Sequence, residues 1–354
     1  MTSDRAATSA AVIIGWDIGG AHIKTSLSVA GRVRDVVQIA APLWQGLHHL
    51  DEAIAVVSAR WPEFHTARHA VTMTAEMVDL FDDREAGVAA LVTHLRARLH
   101  GDIRFYAGAA GWAAAADAGR LWAQIASANW LATANYVRQH RVPAVLIDIG
   151  STTTDLIAIH ADAVGTTSRT DAERLISGEL VYLGVARTPL CAVAARIRCA
   201  GEHHNVMNEM FATTADVFRL TGELEAAHDQ YPAADDRGKD LPATRRRLAR
   251  MVGRDAREAA AAVWFEVALA WRDAMLDELD RNLVQVLQRF DPTDTVTLVG
   301  AGSGAFLAAR LAQRHRLPYC RFSQLVDAQD VGASGLEVCA PSVAVAALAV
   351  RDLT

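Results

Sequence analysis

The sequence predicts a two-lobed α/β fold with a duplicated core. Ala11-Val-Ile-Ile-Gly-Trp16 runs into Asp17-Ile-Gly-Gly-Ala-His-Ile-Lys24, and Ala144-Val-Leu-Ile147 runs into Asp148-Ile-Gly-Ser-Thr-Thr-Thr-Asp155. Each stretch reads as a buried strand, an aspartate at its end, a glycine turn and a returning apolar strand. Strand patterns elsewhere alternate with helical ones, which implies helices layered on sheets. The length of 354 residues fits two domains.

In order, strands are predicted at Ala11–Trp16, His22–Val29 and Val33–Ile39, the last two joined by Ala30-Gly31-Arg32 in an antiparallel meander. A helix follows near Leu47–Arg60, then a strand at His69–Thr74, a helix reaching Leu99 and a strand at Ile103–Tyr106. Asn129 and Asn135 fit either ligand orientation or capping and interior hydrogen bonding. The second lobe opens with strands Ala144–Ile149 and Leu156–His160. An amphipathic turn then leads into a strand ending at Thr188-Pro189, beside Glu179 and Arg187. Residues 203–290 read as a helical insertion, with one helix starting in Asn208–Asp216 and a long one over Ala256–Arg289. Met207, Met210 and Phe211 read as core. The charged segment Ala233–Asp240 fits an exposed loop or a lid, and Arg245-Arg-Arg247 a solvated helix face. Strand Thr295–Val299, loop Gly300-Ala-Gly-Ser-Gly304 and a helix from Ala305 close the pattern, giving lobes at 1–142 and 143–354.

Composition narrows the function classes. With 51% hydrophobic and 21% charged residues the chain reads as an ordinary globular protein, and a net charge of −6 argues against nucleic acid as a partner. No apolar stretch reaches membrane-spanning length, and the polar start Met1–Ala10 lacks the apolar run of a signal peptide, so a cytoplasmic location is expected, without a membrane partner. Cys191, Cys199, Cys320 and Cys339 form no C-x-x-C pair and read as small core residues in a reducing compartment.

The two Asp–Gly loops suggest phosphate chemistry. Glycine admits a close backbone approach, loop amides can point at an anion, and a strand-end carboxylate can hold a divalent cation through water. Two such loops facing one cleft would clamp a polyphosphate and its metal, with Lys24 as a point charge. A single D-x-G turn is equally well a strand-ending Asx turn; the repetition is what favours a clamp. Gly300–Gly304 lacks the early position and downstream acidic residue of a dinucleotide fingerprint. It fits a loop that presses a helix start against a ligand, or a tight strand-to-helix turn.

Taken together, the three loops resemble those of the acetate and sugar kinase, Hsc70 and actin superfamily, whose fold is two-lobed, actin-like and ribonuclease H-like. Asp17–Lys24 is similar to its first phosphate motif, Asp148–Asp155 to its second, and Gly300–Gly304 to its adenosine motif. The D-x-G-S-T-T-T-D form looks like the hydantoinase/oxoprolinase branch. Thr74-Ala-Glu-Met77, Glu179–Leu190, Asn208–Thr213 and Arg247–Gly253 further resemble the synthase family of methanofuran biosynthesis, linked to tetrahydromethanopterin-dependent one-carbon metabolism and methylotrophy.

That resemblance implies a transferase that joins an aminomethylfuran-methyl diphosphate to the phenol of a tyrosine- or γ-glutamyltyramine-type acceptor and releases diphosphate. Mg2+ is implied as cofactor, and ATP is not expected to be required. The small-molecule diphosphate and the phenolic acceptor are the partners, with a homo-oligomer open. Asp17 and Asp148 are then expected around the metal, and Lys24 on the diphosphate. Gly19, Gly20, Gly150, Ser151, Thr152, Thr153, Gly300, Gly302, Ser303 and Gly304 would line the diphosphate or nucleotide, and Asp155 or Glu179 would be the base for the phenol. His22 and His160 are alternative bases, yet each sits in a strand pattern and reads more readily as structural, and His203-His204 reads as surface. The same residues suit an ATP-dependent small-molecule kinase or a nucleotide-gated binding protein.

Overall fold

The computed structural model describes residues 11–353; the polar start Met1–Ala10 lies outside the described residues. The chain divides into two units, residues 11–136 with 325–353, and residues 137–324.

The first unit begins with β1 (Val12–Ile18), β2 (His22–Val29) and β3 (Arg32–Ala40), the predicted meander, followed by α1 (His48–Arg60), β4 (Arg68–Met73), α2 (Arg84–Arg98), β5 (Ile103–Tyr106) and β6 (Trp112–Ala113). Short α3 (Trp122–Ile125) and α4 (Asn129–Arg138) lead out of it. The sheet order is β3-β2-β1-β4-β5-β6, with β1–β2 and β2–β3 antiparallel and β1–β4 and β4–β5 parallel. Alternation along β1 sorts its side chains. Ile14, Trp16 and Ile18 join Leu50, Val57, Leu91 and Leu95 of α1 and α2 in one core, while Gly15 and Asp17 point to the opposite face.

The second unit holds β7 (Ala144–Ile149), β8 (Thr154–Ile159), α5 (Asp171–Ser177) and β9 (Leu180–Val181), then the hairpin β10 (Arg196–Cys199) and β11 (Glu202–Asn205). After these come α6 (Thr214–Thr221), α7 (Leu241–Arg250), α8 (Ala261–Leu287), β12 (Thr297–Ala301), α9 (Ala305–His315) and β13 (Tyr319–Arg321). Its sheet order is β13-β12-β7-β8-β9, with β7–β8 and β8–β9 antiparallel and β7–β12 and β12–β13 parallel. Read from the first strand of each unit, both sheets therefore have the order 3-2-1-4-5 with the same directions, as expected of a duplicated ribonuclease H-like core. Trp264, Val267, Trp271, Met275, Leu279, Leu283 and Val286 recur at three- and four-residue spacing and give α8 the apolar stripe it buries.

Two helices, α10 (Ala333–Val338) and α11 (Ala340–Leu353), return to the first unit. The sequence reading placed them in the second lobe. They belong to the first because α11 covers the bare face of β1 and β2: Ser26 Oγ donates to Ser342 O at 2.9 Å, and a Cβ on Gly15 would stand 2.0 Å from that same oxygen.

Other corrections have local causes. The strand expected to reach Pro189 stops at Val181, because the chain beyond it turns onto the loop after β7. The helix expected within Asn208–Asp216 begins at Thr214, where Thr213 and Asp216 form a capping box. Met207 and Met210 are exposed, and only Phe211 packs against the core. Arg247 is fully buried and not solvated. It donates to Asp216 Oδ1 at 2.8 Å, Asp235 Oδ1 at 2.9 Å and Gly238 O at 3.1 Å, which ties the charged segment 233–240 to α7. Asn135 donates to Tyr106 Oη at 2.9 Å, an interior partner. The four cysteines are free thiols, with Cys199, Cys320 and Cys339 buried and Cys191 half-buried. Among the described residues no helix is long and apolar enough to cross a membrane.

Candidate functional site

In the first unit, strand register sets a polar row. Asp17 on β1 lies opposite Lys24 on β2 and beside Thr72 on β4, and Lys24 lies opposite Gln38 on β3. Register partners share a face, so the four side chains cross the sheet in line. Lys24 Nζ stands 3.6 Å from Asp17 Oδ2, the carboxylate nearly inaccessible and the ammonium partly exposed. The buried Cys339 thiol, just ahead of α11, is pushed up to about 12 by burial, with Lys24 and Asp17 near enough to act on it. Gly19 donates its N–H to Asp17 O and His22 O, and a Cβ there would meet His22 O at 2.7 Å; one on Gly20 would meet Val78 Cγ1 at 2.8 Å. His22 is buried within β2.

In the second unit the analogous row is Ala301–Asp148–Asp155–Leu180 across β12, β7, β8 and β9. Two carboxylates thus sit side by side, an arrangement that repels unless a cation intervenes. On the Asp155 side the cation is Arg174, whose Nη2 bonds Asp155 Oδ1 and whose Nη1 stands 3.7 Å from Asp171. Arg174 is delivered by α5, a two-turn helix that begins in a Thr170–Glu173 capping box.

Glu179 is fully buried. Its carboxylate accepts from Thr166 Oγ1 at 2.8 Å, Ser177 Oγ at 2.7 Å and Arg289 Nη1 at 2.5 Å. Burial works to raise its pKa, but these three donors outweigh burial and hold the carboxyl below its usual range. A carboxylate so saturated is a poor proton acceptor. The arrangement makes Glu179 an anchor between β9 and the end of α8 instead of the base expected from sequence. His160 packs its ring 4.6 Å from Phe290, again a structural placement.

The loop after β7 closes through Gly150 N to Thr153 O at 2.8 Å. A Cβ on Gly150 would have only Thr153 O within 4 Å, at an ordinary 3.5 Å, so the chain's own packing does not demand glycine there. Ser151, Thr152 and Thr153 are half-buried beside it. The loop is gripped from behind. Val185 N donates to Gly150 O, Ala186 N and Arg187 N donate to Ser151 O, and Gly184 comes so close that a Cβ would stand 2.3 Å from Thr152 N.

The Gly300–Gly304 turn abuts the same loop. Gly302 has φ +78°, and a Cβ on it would fall 2.2 Å from Ile149 O and 2.5 Å from Asp148 Oδ1, while Gly304 N donates to Ile149 O at 2.8 Å. Gly300 makes room for Tyr319, whose hydroxyl donates to Ala305 O. Ser303 is half-buried. Each of the three glycines therefore has a packing reason of its own, the tight-turn alternative. Asp148, largely buried at the strand end, is packed so closely by the Gly302 backbone that a side chain at 302 would collide with its Oδ1.

Arg187 has no role in the reading of the sequence, although it stands there beside Glu179. Its Nη1 donates to Thr152 Oγ1 at 3.2 Å, and its guanidinium carbon lies 5.2 Å from the centre of the Tyr231 ring. The signal was Gly184-Val-Ala-Arg-Thr188, a glycine that permits close approach three residues before a cation.

Two sheets of one order, each ending its central strand in an aspartate and a glycine turn, define an α/β protein with a duplicated core. The chain belongs to the hydantoinase/oxoprolinase family, whose model matches residues 68–320. Among curated proteins it is 26% identical, over 82% of this chain and 86% of the other, to the (4-{4-[2-(gamma-L-glutamylamino)ethyl]phenoxymethyl}furan-2-yl)methanamine synthase of Methanocaldococcus jannaschii. It is 27% identical to the protein of the same name from Methanococcus vannielii, over 45% of this chain and 70% of that one. Among solved structures, a ROK family glucokinase from Streptomyces griseus matches over 96% of this chain and 99% of that chain, with a TM-score of 0.47 and 16% identity.

Proposed function

We propose that the protein is a synthase that forms an aryl furfuryl ether in methanofuran-type cofactor biosynthesis. The substrates are an aminomethylfuran-methyl diphosphate and a tyrosine- or γ-glutamyltyramine-type phenol. The observation that carries the reading is the loop Asp148–Asp155: a buried Asp148 beside a half-buried Asp155, four hydroxyls, and a Gly150 for which the fold itself has no steric need. A ligand approaching the loop backbone supplies that need. The product named for the two archaeal relatives contains a phenoxymethyl-furan bond, the bond this reaction would make.

The phenolic oxygen attacks the furfuryl carbon, the carbon–oxygen bond to diphosphate breaks, and the phenol proton is released. Asp17 and Asp148 are assigned as carboxylates for Mg2+, each the right hard donor. The close approach of the Gly302 backbone fixes the Asp148 carboxylate at the end of β7, beside the loop that would hold the diphosphate. Mg2+, when bound, supplies charge neutralisation of the leaving diphosphate. Lys24 adds a point charge to the diphosphate, and the loop hydroxyls of Ser151, Thr152 and Thr153 donate to its oxygens. Asp155 is assigned to take the phenol proton, with Arg174 fixing its orientation.

The test is turnover without nucleotide: protein, Mg2+, the furan diphosphate and γ-glutamyltyramine, with products read by mass spectrometry. The ether and free diphosphate should appear in equal amounts. Ether formation only with ATP, or phosphorylation of the phenol, assigns a kinase instead.

A further inference from the structure

We propose that Arg187 is a diphosphate-binding residue of the second unit and that Tyr231 positions it, an inference that rests on the diphosphate reading above. The loop Asp148–Asp155 contains two aspartates and no basic residue, so by its own composition it repels the anion it is meant to hold. Beyond the Mg2+ assigned to Asp148, a cation from elsewhere in the unit would offset that charge.

Arg174 is delivered to the outer aspartate, Asp155. Arg187 is delivered to the hydroxyl side of the loop, and its delivery is built in detail. The N–H groups of Ala186 and Arg187 both dock on Ser151 O, at 3.1 and 2.8 Å. Gly184 lets the turn approach within reach, its N–H held by Thr188 Oγ1 at 2.9 Å and its carbonyl by Thr214 Oγ1 at 2.7 Å. The guanidinium therefore starts from a backbone fixed to the loop it serves.

Tyr231 fixes the other end. Its ring faces the guanidinium, and its segment is held two residues earlier, where Asp229 takes Arg219 Nε at 2.5 Å and Lys239 Nζ at 3.0 Å. A planar guanidinium that bonds Thr152 and faces Tyr231 is set in one orientation beside the loop, and its fork of donors is the geometry that suits two oxygens of a diphosphate.

Inorganic diphosphate with Mg2+ is titrated calorimetrically into the full chain, in the wild type, Arg187→Met, Arg187→Lys, Tyr231→Leu and Asp148→Asn. Arg187→Met keeps much of the apolar stem, and the loss of one charged bidentate contact should weaken binding about 30-fold. Arg187→Lys should lose less, and Tyr231→Leu several-fold. Millimolar guanidinium should partly restore binding to Arg187→Met and not to Asp148→Asn, a response that a purely structural arginine does not give. Wild-type affinity in both Arg187 variants, while Asp148→Asn binds poorly, overturns the role of Arg187 and leaves the diphosphate reading standing. Absence of diphosphate binding in the wild type overturns both.

Discussion

Replacing Gly302 by alanine tests whether the turn after β12 is what keeps Asp148 in place. Two costs are separable. Gly302 has φ +78°, and placing an L-residue in the left-handed region costs roughly 1–2 kcal/mol. The added Cβ would also stand 2.2 Å from Ile149 O and 2.5 Å from Asp148 Oδ1, so backbone or carboxylate must move, and overpacking of that kind costs roughly a further 1–3 kcal/mol. Gly201, in the turn between β10 and β11 of the same unit, has φ +87° with nothing within 4 Å of a built Cβ. Gly201→Ala therefore carries the first cost alone. Urea unfolding of both variants at neutral pH should place Gly302→Ala about 2 kcal/mol below Gly201→Ala, and only Gly302→Ala should weaken Mg2+-dependent diphosphate binding. Equal stabilities, with equal diphosphate binding, would refute the argument that the two loops are packed against each other at Asp148.

Gly150→Ala should behave in the opposite way. Its Cβ has room, so stability should change by no more than about 0.5 kcal/mol, while diphosphate affinity, measured by calorimetry, should drop clearly. His69 makes the first unit acid-sensitive. It is buried and accepts from Trp16 Nε1 at 3.0 Å, and burial lowers its pKa to about 4. Because the unfolded chain binds the proton first, stability is complete above pH 6.5 and falls as pH drops towards 4. Between pH 6.5 and 5 this should remove roughly 1.5 kcal/mol, and His69→Gln should flatten that part of the pH–stability curve measured by denaturant unfolding. Arg247→Ala leaves the buried Asp216 paired with Arg219 and takes a charged partner from Asp235, and should cost roughly 1.5–3 kcal/mol in thermal or urea unfolding, more than Arg245→Ala on the same helix.

The strands and both aspartates were legible because alternation, apolar runs and a carboxylate before glycine are local signals. The meander of β1 to β3 and the strand–turn–helix from β12 to α9 stand close to where those signals place them. What the sequence concealed is set by contacts distant along the chain. Nothing near Ala340 says that α11 returns to cover Gly15 and Ser26, more than 300 residues earlier. Glu179 looked like a free acid because Arg289, which neutralises it, lies 110 residues away. Arg247 looked solvated because helical spacing cannot reveal that Asp216 and Asp235 lie against it. The glycines of Gly300–Gly304 read as ligand-facing for a similar reason: Tyr319 and Ile149, the groups they make room for, are remote in sequence.

The central claim is attack at carbon with diphosphate as the leaving group, and the most direct measurement follows the oxygen that bridges the furfuryl carbon and phosphorus. The furan diphosphate is prepared with 18O at that bridge and turned over with a tyramine-type phenol and Mg2+, without nucleotide. Cleavage of the carbon–oxygen bond sends the label into the released diphosphate and leaves the ether unlabelled, which is the predicted result. Label retained in a furan alcohol, with phosphate transferred to the phenol or to water, would show attack at phosphorus and contradict the account.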